Sequence, residues 1–236
     1  WMLNNKRWGR IGGVNGHGYN LTIGKDFLSD EHGYYGLLFD YGSNTVSGAA
    51  GSGEYDSYSL GLYAGNKNKP GSITGFVSYG LQANKGTAYL PVLGQTAESG
   101  YDSKTLGIGV EYAYDLDYGK PEELWHVSPY ARINFTHYRQ KAFREHGAGV
   151  FDRSFGSYND NYAEGELGLS FDRSEGTGGY GIRLGYKRIL TGERQLMEVC
   201  FAEDECRSLL PVRSWGEGRN HFVAAAYVRH DFSRKW

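Results

Sequence analysis

TLGIGVEYAYDLDY, residues 105–118, alternates along its whole length. Leu106, Ile108, Val110, Tyr112, Tyr114, Leu116 and Tyr118 fall on one parity. Thr105, Gly107, Gly109, Glu111, Ala113, Asp115 and Asp117 fall on the other. A period of two is a β-strand with one apolar and one polar face. A water-soluble sheet and a membrane barrel both read this way, so the fold turns on which face meets which solvent.

Composition narrows the choice. The 236 residues include 36 Gly and 20 Tyr but only 5 Pro and 2 Met, a balance that favours an all-β chain. A net charge of −2 sets up no global basic field for nucleic acid. No run approaches the roughly 18 apolar residues of a spanning helix. A barrel is untouched by that test, because only every second residue of its strands faces lipid. The chain has no leader pattern and opens on Trp1, as a mature segment of a longer precursor would.

Ten alternating segments can be marked: 6–12, 19–28, 34–42, 55–65, 72–82, 105–118, 125–139, 162–172, 180–190 and 221–232. Each is near the 9–11 residues that a tilted strand needs to cross the hydrocarbon layer. The connectors after the second, fourth, sixth and eighth segments are short: SDEHG, NKNKPG, GKPEEL and DRSEGTGG. Those after the third, fifth, seventh and ninth are long, among them KAFREHGAGVFDRSFGSYND and the stretch 191–220. SGAAGSGE (47–54) reads as a flexible loop tip. Short turns on one side and long loops on the other mark an outer-membrane barrel.

The two parities agree. Leu21, Ile23, Leu37, Phe39, Leu60, Leu62, Leu167 and Leu169 share the bulky side, while Gly24, Gly36, Gly61, Gly107, Gly109, Gly168 and Gly185 share the other. Gly weakens a strand and is a poor choice for a water-facing surface. On an inward face it makes room for another piece of chain in a narrow bore. The bulky parity therefore faces lipid. A lipocalin-like barrel with that parity inward is the soluble alternative. Tyr41, Tyr55, Tyr118 and Tyr180, near segment ends, suit aromatic girdles.

The inward parity carries Asp26, Asp40, Glu111, Asp115, Arg132, Glu164, Glu166, Asp172, Arg183, Lys187 and Arg229. Such charges survive only if paired or wet. They form a self-neutralising ladder, a lining that grips a polypeptide in the bore, or both. Cys200 and Cys206, the two cysteines, flank residues 201–205 without the further ligands that a zinc site needs. They read as a disulfide at a loop tip in an oxidising compartment, with 194–199 and 207–212 as its stem, or else as two free thiols. GTGGYG (176–181) precedes a strand and not a helix, so it is a turn and no dinucleotide site. The seven His are scattered, and no nucleophile elbow, metal motif or cofactor fingerprint is found.

DSYSLGLYAG (56–65), SITGFVSYGLQANKGTA (72–88), YDSKTLGIGVEYAY (101–114), HVSPYARINFTHYRQKAF (126–143) and YAEGELGLSF (162–171), in this order, resemble the β-domain (translocator) of type Va autotransporters. KRWGRIGG (6–13) and GYNLTIGKDF (18–27) are similar to that family's first two strands, the second with an inward Asp, here Asp26. The resemblance implies a twelve-stranded barrel in the bacterial outer membrane. It implies a linker helix through the bore to an N-terminal passenger, and help from the barrel-assembly machinery. It implies no enzyme and no cofactor. Only ten strands are countable, so the pore helix, the passenger and the last β-hairpin are expected outside residues 1–236, and Trp236 is expected to open an eleventh strand. Asp26, Glu111, Arg132, Glu166 and Arg183 are the expected contacts with the segment in the bore. LNNKR holds an Asn4–Asn5 pair, the dipeptide at which some members cut themselves, and it reads here as a periplasmic lead-in. An outer-membrane channel and a ten-stranded outer-membrane hydrolase are the alternatives. The hydrolase needs an acid–His or Ser–His group near His137 and His146, for which no partner is visible.

Overall fold

The computed structural model describes residues 2–230 apart from 12–13, 31, 67, 69, 92, 117–124, 176–177, 192–195, 202–209 and 214–218. It describes the side chains except those of 2–14, 174–175, 196–197, 210–213 and 229–230 as well. Ten long strands run as one antiparallel meander: β1 (Met2–Ile11), β2 (Val14–Ser29), β3 (Gly33–Gly48), β4 (Gly51–Asn66), β5 (Gly71–Leu90), β6 (Gln95–Tyr114), β7 (His126–Gln140), β10 (Tyr158–Glu175), β11 (Gly178–Thr191) and β14 (Asn220–His230). Four short strands, β8 (Phe143–His146), β9 (Arg153–Phe155), β12 (Leu196–Phe201) and β13 (Leu210–Arg213), branch from them. β1 and β14 end the path, and among the described residues no ladder joins them.

The alternation of residues 105–114 is resolved as expected. Leu106, Ile108, Val110 and Tyr112 are exposed, while Thr105, Gly107, Gly109 and Glu111 are covered. The same parity is exposed elsewhere, with Leu60 at 54%, Leu62 at 55% and Leu167 at 65% of full exposure. A continuous apolar wall of this kind is stable in lipid and not in water. Side chains on the other parity meet across intervening strands. Arg183 on β11 reaches Glu111 on β6, with β7 and β10 between them, so the sheet is curled around that face. Its last residues depart from the reading: the strand ends at Tyr114, and the backbone N–H groups of Asp115 and Leu116 donate to Pro70 and Val127 carbonyls in the turn.

Aromatics cluster at both margins of the wall. Tyr41 packs against Tyr19 and Tyr58 (ring centroids 5.8 and 5.0 Å) and Tyr186 against Phe222 (5.9 Å) on the margin nearer the tight β3–β4 turn. Phe27 meets Tyr35 (6.1 Å) and Trp125 meets Tyr180 (5.6 Å) on the other. Tyr55, expected in a girdle, shares register with the inward Asn44 and so lies on the inward parity. Tyr118 lies outside the described residues.

Two of the four expected long loops are strands. β3 and β4 stay paired to Ser47 opposite Ser52 and Gly48 opposite Gly51, leaving a two-residue turn at 49–50. β5 and β6 each run 20 residues and turn over 91–94. At about 3.3 Å per residue that is roughly 65 Å of strand, well beyond a hydrocarbon layer about 30 Å thick. Ladder partners on neighbouring strands override the weak propensity of SGAAGSGE. Gly51 (φ +149°) is required there, because a Cβ would run into the Thr87 carbonyl. Asn4 and Asn5 are likewise not a lead-in: they pair with Leu21 and Asn20 inside β1.

The seventh connector folds as well. β8 pairs with the projecting part of β6, β9 with β8, β12 with β9 and β13 with β12, which builds a small sheet on the long-strand side. Phe143 stacks between Tyr101 and Phe155 (4.2 and 4.5 Å), and the guanidinium of Arg153 donates two bonds to Glu145 (2.7 and 2.6 Å). Burial pushes the Tyr101 phenol above its usual range, so it stays neutral in the stack. Cys200 is buried here and disulfide-bonded, while Cys206 lies outside the described residues. The observed stem differs in register from the expected one, with Leu196 opposite Arg213 and Val199 opposite Leu210.

Candidate functional site: the charged bore

Glycines set the geometry of the inward face. Tyr63 on β4 lies over Gly36 of β3 and donates its hydroxyl hydrogen bond to Asp26 on β2. Tyr34 on β3 lies over Gly65 of β4 and bonds Thr74 of β5. Tyr130 on β7 lies over Gly168 of β10 towards Gly185 of β11, and Tyr227 on β14 lies over Gly181. A Cβ at Gly168 would sit 2.6 Å from the Tyr130 ring. At Gly36, Gly168 and Gly185 the missing side chains make room for tyrosines of adjacent strands, and at Gly109 for the Phe76 ring.

Tyr130 belongs to a connected set of charges. Glu111 accepts from Arg132 Nε at 2.8 Å and from Arg183 Nη2 at 2.6 Å, so two guanidiniums from β7 and β11 share one carboxylate of β6. The Arg183 guanidinium lies 4.0 Å above the Tyr130 ring centroid, within cation–π range. The Tyr130 hydroxyl donates to Glu166 at 2.6 Å. Two acids, two bases and one phenol thus form a neutral group, and Glu166 is only 8% exposed. Burial of these charges is tolerable because each has a partner. Next along the bore, Glu164 accepts from Asn134 (3.0 Å) and pairs with Lys187 (3.2 Å).

The facing wall is different. Asp40 accepts from Asn20 (2.6 Å) and Thr22 (2.5 Å), and Asp26 from Tyr63, all neutral donors. Between the walls lies a cavity of about 570 Å³, bounded by Thr22, Leu38 and Asp40 on one side and Glu111, Arg132 and Arg183 on the other. Of the five expected contacts, Glu111, Arg132, Glu166 and Arg183 fall in one network, and Asp26 stands on the opposite wall. Asp172 accepts from Ser170 (2.7 Å), and Asp115 lies 3.8 Å from His126 near the short-turn end. The Arg229 side chain lies outside the described residues. Tyr63 and Tyr130 were missed because aromatics were assigned to lipid. Their parity, shared with Gly61 and Arg132, was the signal. Among the described residues no group of three or more His, Cys, Asp or Glu could hold a metal. The inward face thus carries fixed charges of both signs around a cavity.

Against known proteins, the family model "Autotransporter beta-domain" matches residues 2–198. The chain belongs to that family. This autotransporter β-domain is therefore an outer-membrane barrel of the translocator type. Two solved structures share its fold. The translocator domain of autotransporter NalP from Neisseria meningitidis aligns with a TM-score of 0.70 at 17% identity, over 98% of this chain and 86% of that one. The β-domain of the Bordetella autotransporter BrkA gives 0.65 at 15% identity, over 98% and 97%. No curated protein sequence matches the chain.

Proposed function

We propose that this β-domain anchors an N-terminal passenger in the outer membrane and that the segment leading to the passenger lies against the bore wall. Asp26, Glu111, Arg132, Glu166 and Arg183 hold that segment. The cavity between Asp40 and the Glu111–Arg132–Arg183 group carries the reading. Its walls offer fixed donors and acceptors of both signs beside the apolar Leu38 and Phe76, which can hold a polypeptide through its polar backbone. The domain works with its own passenger and linker, lipid and the barrel-assembly machinery, and it performs no chemistry of its own. Among the described residues no ladder joins β1 to β14, which supports closure through further strands. The Cys200–Cys206 disulfide staples the small outer sheet.

The test uses the full-length protein. Glu111→Gln, Glu166→Gln, Arg132→Gln and Arg183→Gln are combined, which removes both acids and both bases of the group together. Heat-modifiable mobility reports barrel assembly, and protease accessibility reports passenger at the surface. A folded barrel with passenger exposure reduced severalfold supports the proposal. Exposure equal to wild type overturns it.

A further inference from the structure

We infer that Lys104 and Arg139 form a binding site for the phosphate of a lipid headgroup at the outer margin of the apolar wall. Lys104 on β6 shares the lipid-facing parity of Leu106 and Ile108, and Arg139 on β7 that of Phe135 and Ile133. The two cations are direct register partners, and both are exposed. Among the described residues neither side chain makes an ion pair or hydrogen bond. Like charges directly opposite on neighbouring strands are destabilising, so this pair needs a counter-charge that the other described residues do not supply.

Their position says what supplies it. Lys104 is also the register partner of Leu81, which in turn faces Tyr58 in the aromatic margin. The pair therefore lies where hydrocarbon gives way to headgroups, on the side of the long strands and the small sheet. His137, bonded to Asn161 (2.9 Å), sits one outward-facing step nearer the centre of the apolar wall than Arg139. Asp102 is one outward-facing step further from the centre of the wall than Lys104 and faces Lys141 at 3.9 Å. A lone lysine at a membrane margin needs no special ligand, since it snorkels to water. Two opposed cations fixed on rigid strands at headgroup depth match a phosphate, which Arg binds through its planar fork and Lys as a point charge. Basic clusters at this depth bind anionic headgroups by the same physics.

The full chain is reconstituted with a phosphorylated glycolipid, with the same lipid after phosphatase treatment, or with neutral lipid plus inorganic phosphate. Bound lipid is counted by native mass spectrometry, and the melting midpoint is followed alongside. Wild type is expected to retain the phosphorylated lipid, and Lys104→Gln with Arg139→Gln to lose at least about tenfold of that occupancy. Lys85→Gln, an outward cation elsewhere, should keep it. Lys104→Glu pairs with Arg139 internally. It should melt above wild type in uncharged detergent and gain nothing from the phosphorylated lipid, whereas wild type gains. Equal retention by the double variant, equal retention of dephosphorylated lipid, or equal protection by inorganic phosphate would each overturn the assignment.

Discussion

Glu111 shows what a single residue reveals in sequence and what it hides. Its inward direction follows from parity alone, since Val110 and Tyr112 are its neighbours. Its partners do not, because Arg183 lies 72 positions away and meets it only through the curl of the sheet. The glycines divide in the same way. Their parity was legible, but the purpose of Gly36, Gly168 and Gly185 was not, because the tyrosines that cross them come from neighbouring strands. Gly168→Ala is expected to destabilise the barrel by about 1–3 kcal/mol through overpacking, as the new methyl meets the Tyr130 ring and the Leu184 carbonyl. Gly100→Ala, where the nearest atom is 4.0 Å from the added carbon, should be close to neutral. Thermal loss of heat-modifiable mobility checks both. Tyr130→Phe removes one hydrogen bond to a carboxylate and should cost about 1.5–3 kcal/mol on the same scale.

Individual strands were read well at their lipid-crossing centres and poorly at their ends. Bulky residues alternate there, so the period shows. Beyond the wall the alternation fades into Gly, Ala and Ser, and only the ladder with the next strand keeps β3, β4, β5 and β6 extended. β8 and β9 were invisible for another reason: three or four residues hold no period, and their pairing depends on β6 and β12. The small sheet should therefore be separable from the barrel. Phe143→Ala removes the middle ring of the Tyr101–Phe143–Phe155 stack. It should open the 141–157 segment to proteolysis while the membrane-embedded strands keep their resistance. Coincident loss of both would show one cooperative unit.

At the scale of the whole molecule, the chain is a sheet whose apolar residues face outward and whose charges face each other across a bore. The barrel fold follows from that inversion and was legible in face composition, whereas the family rested on the resemblance of the ordered strand segments. The closing geometry was not legible, because β1 and β14 carry no mutual pairing signal. Placing Arg at Val110 should cost about 2–4 kcal/mol near the bilayer midplane. The most direct measurement takes single cysteines at 105 to 112 of the reconstituted protein, each carrying a fluorophore, and quenches them from the lipid phase and from water. The account predicts lipid-phase quenching at 106, 108, 110 and 112 and none at 105, 107, 109 and 111. The opposite phase, or no alternation at all, would contradict it.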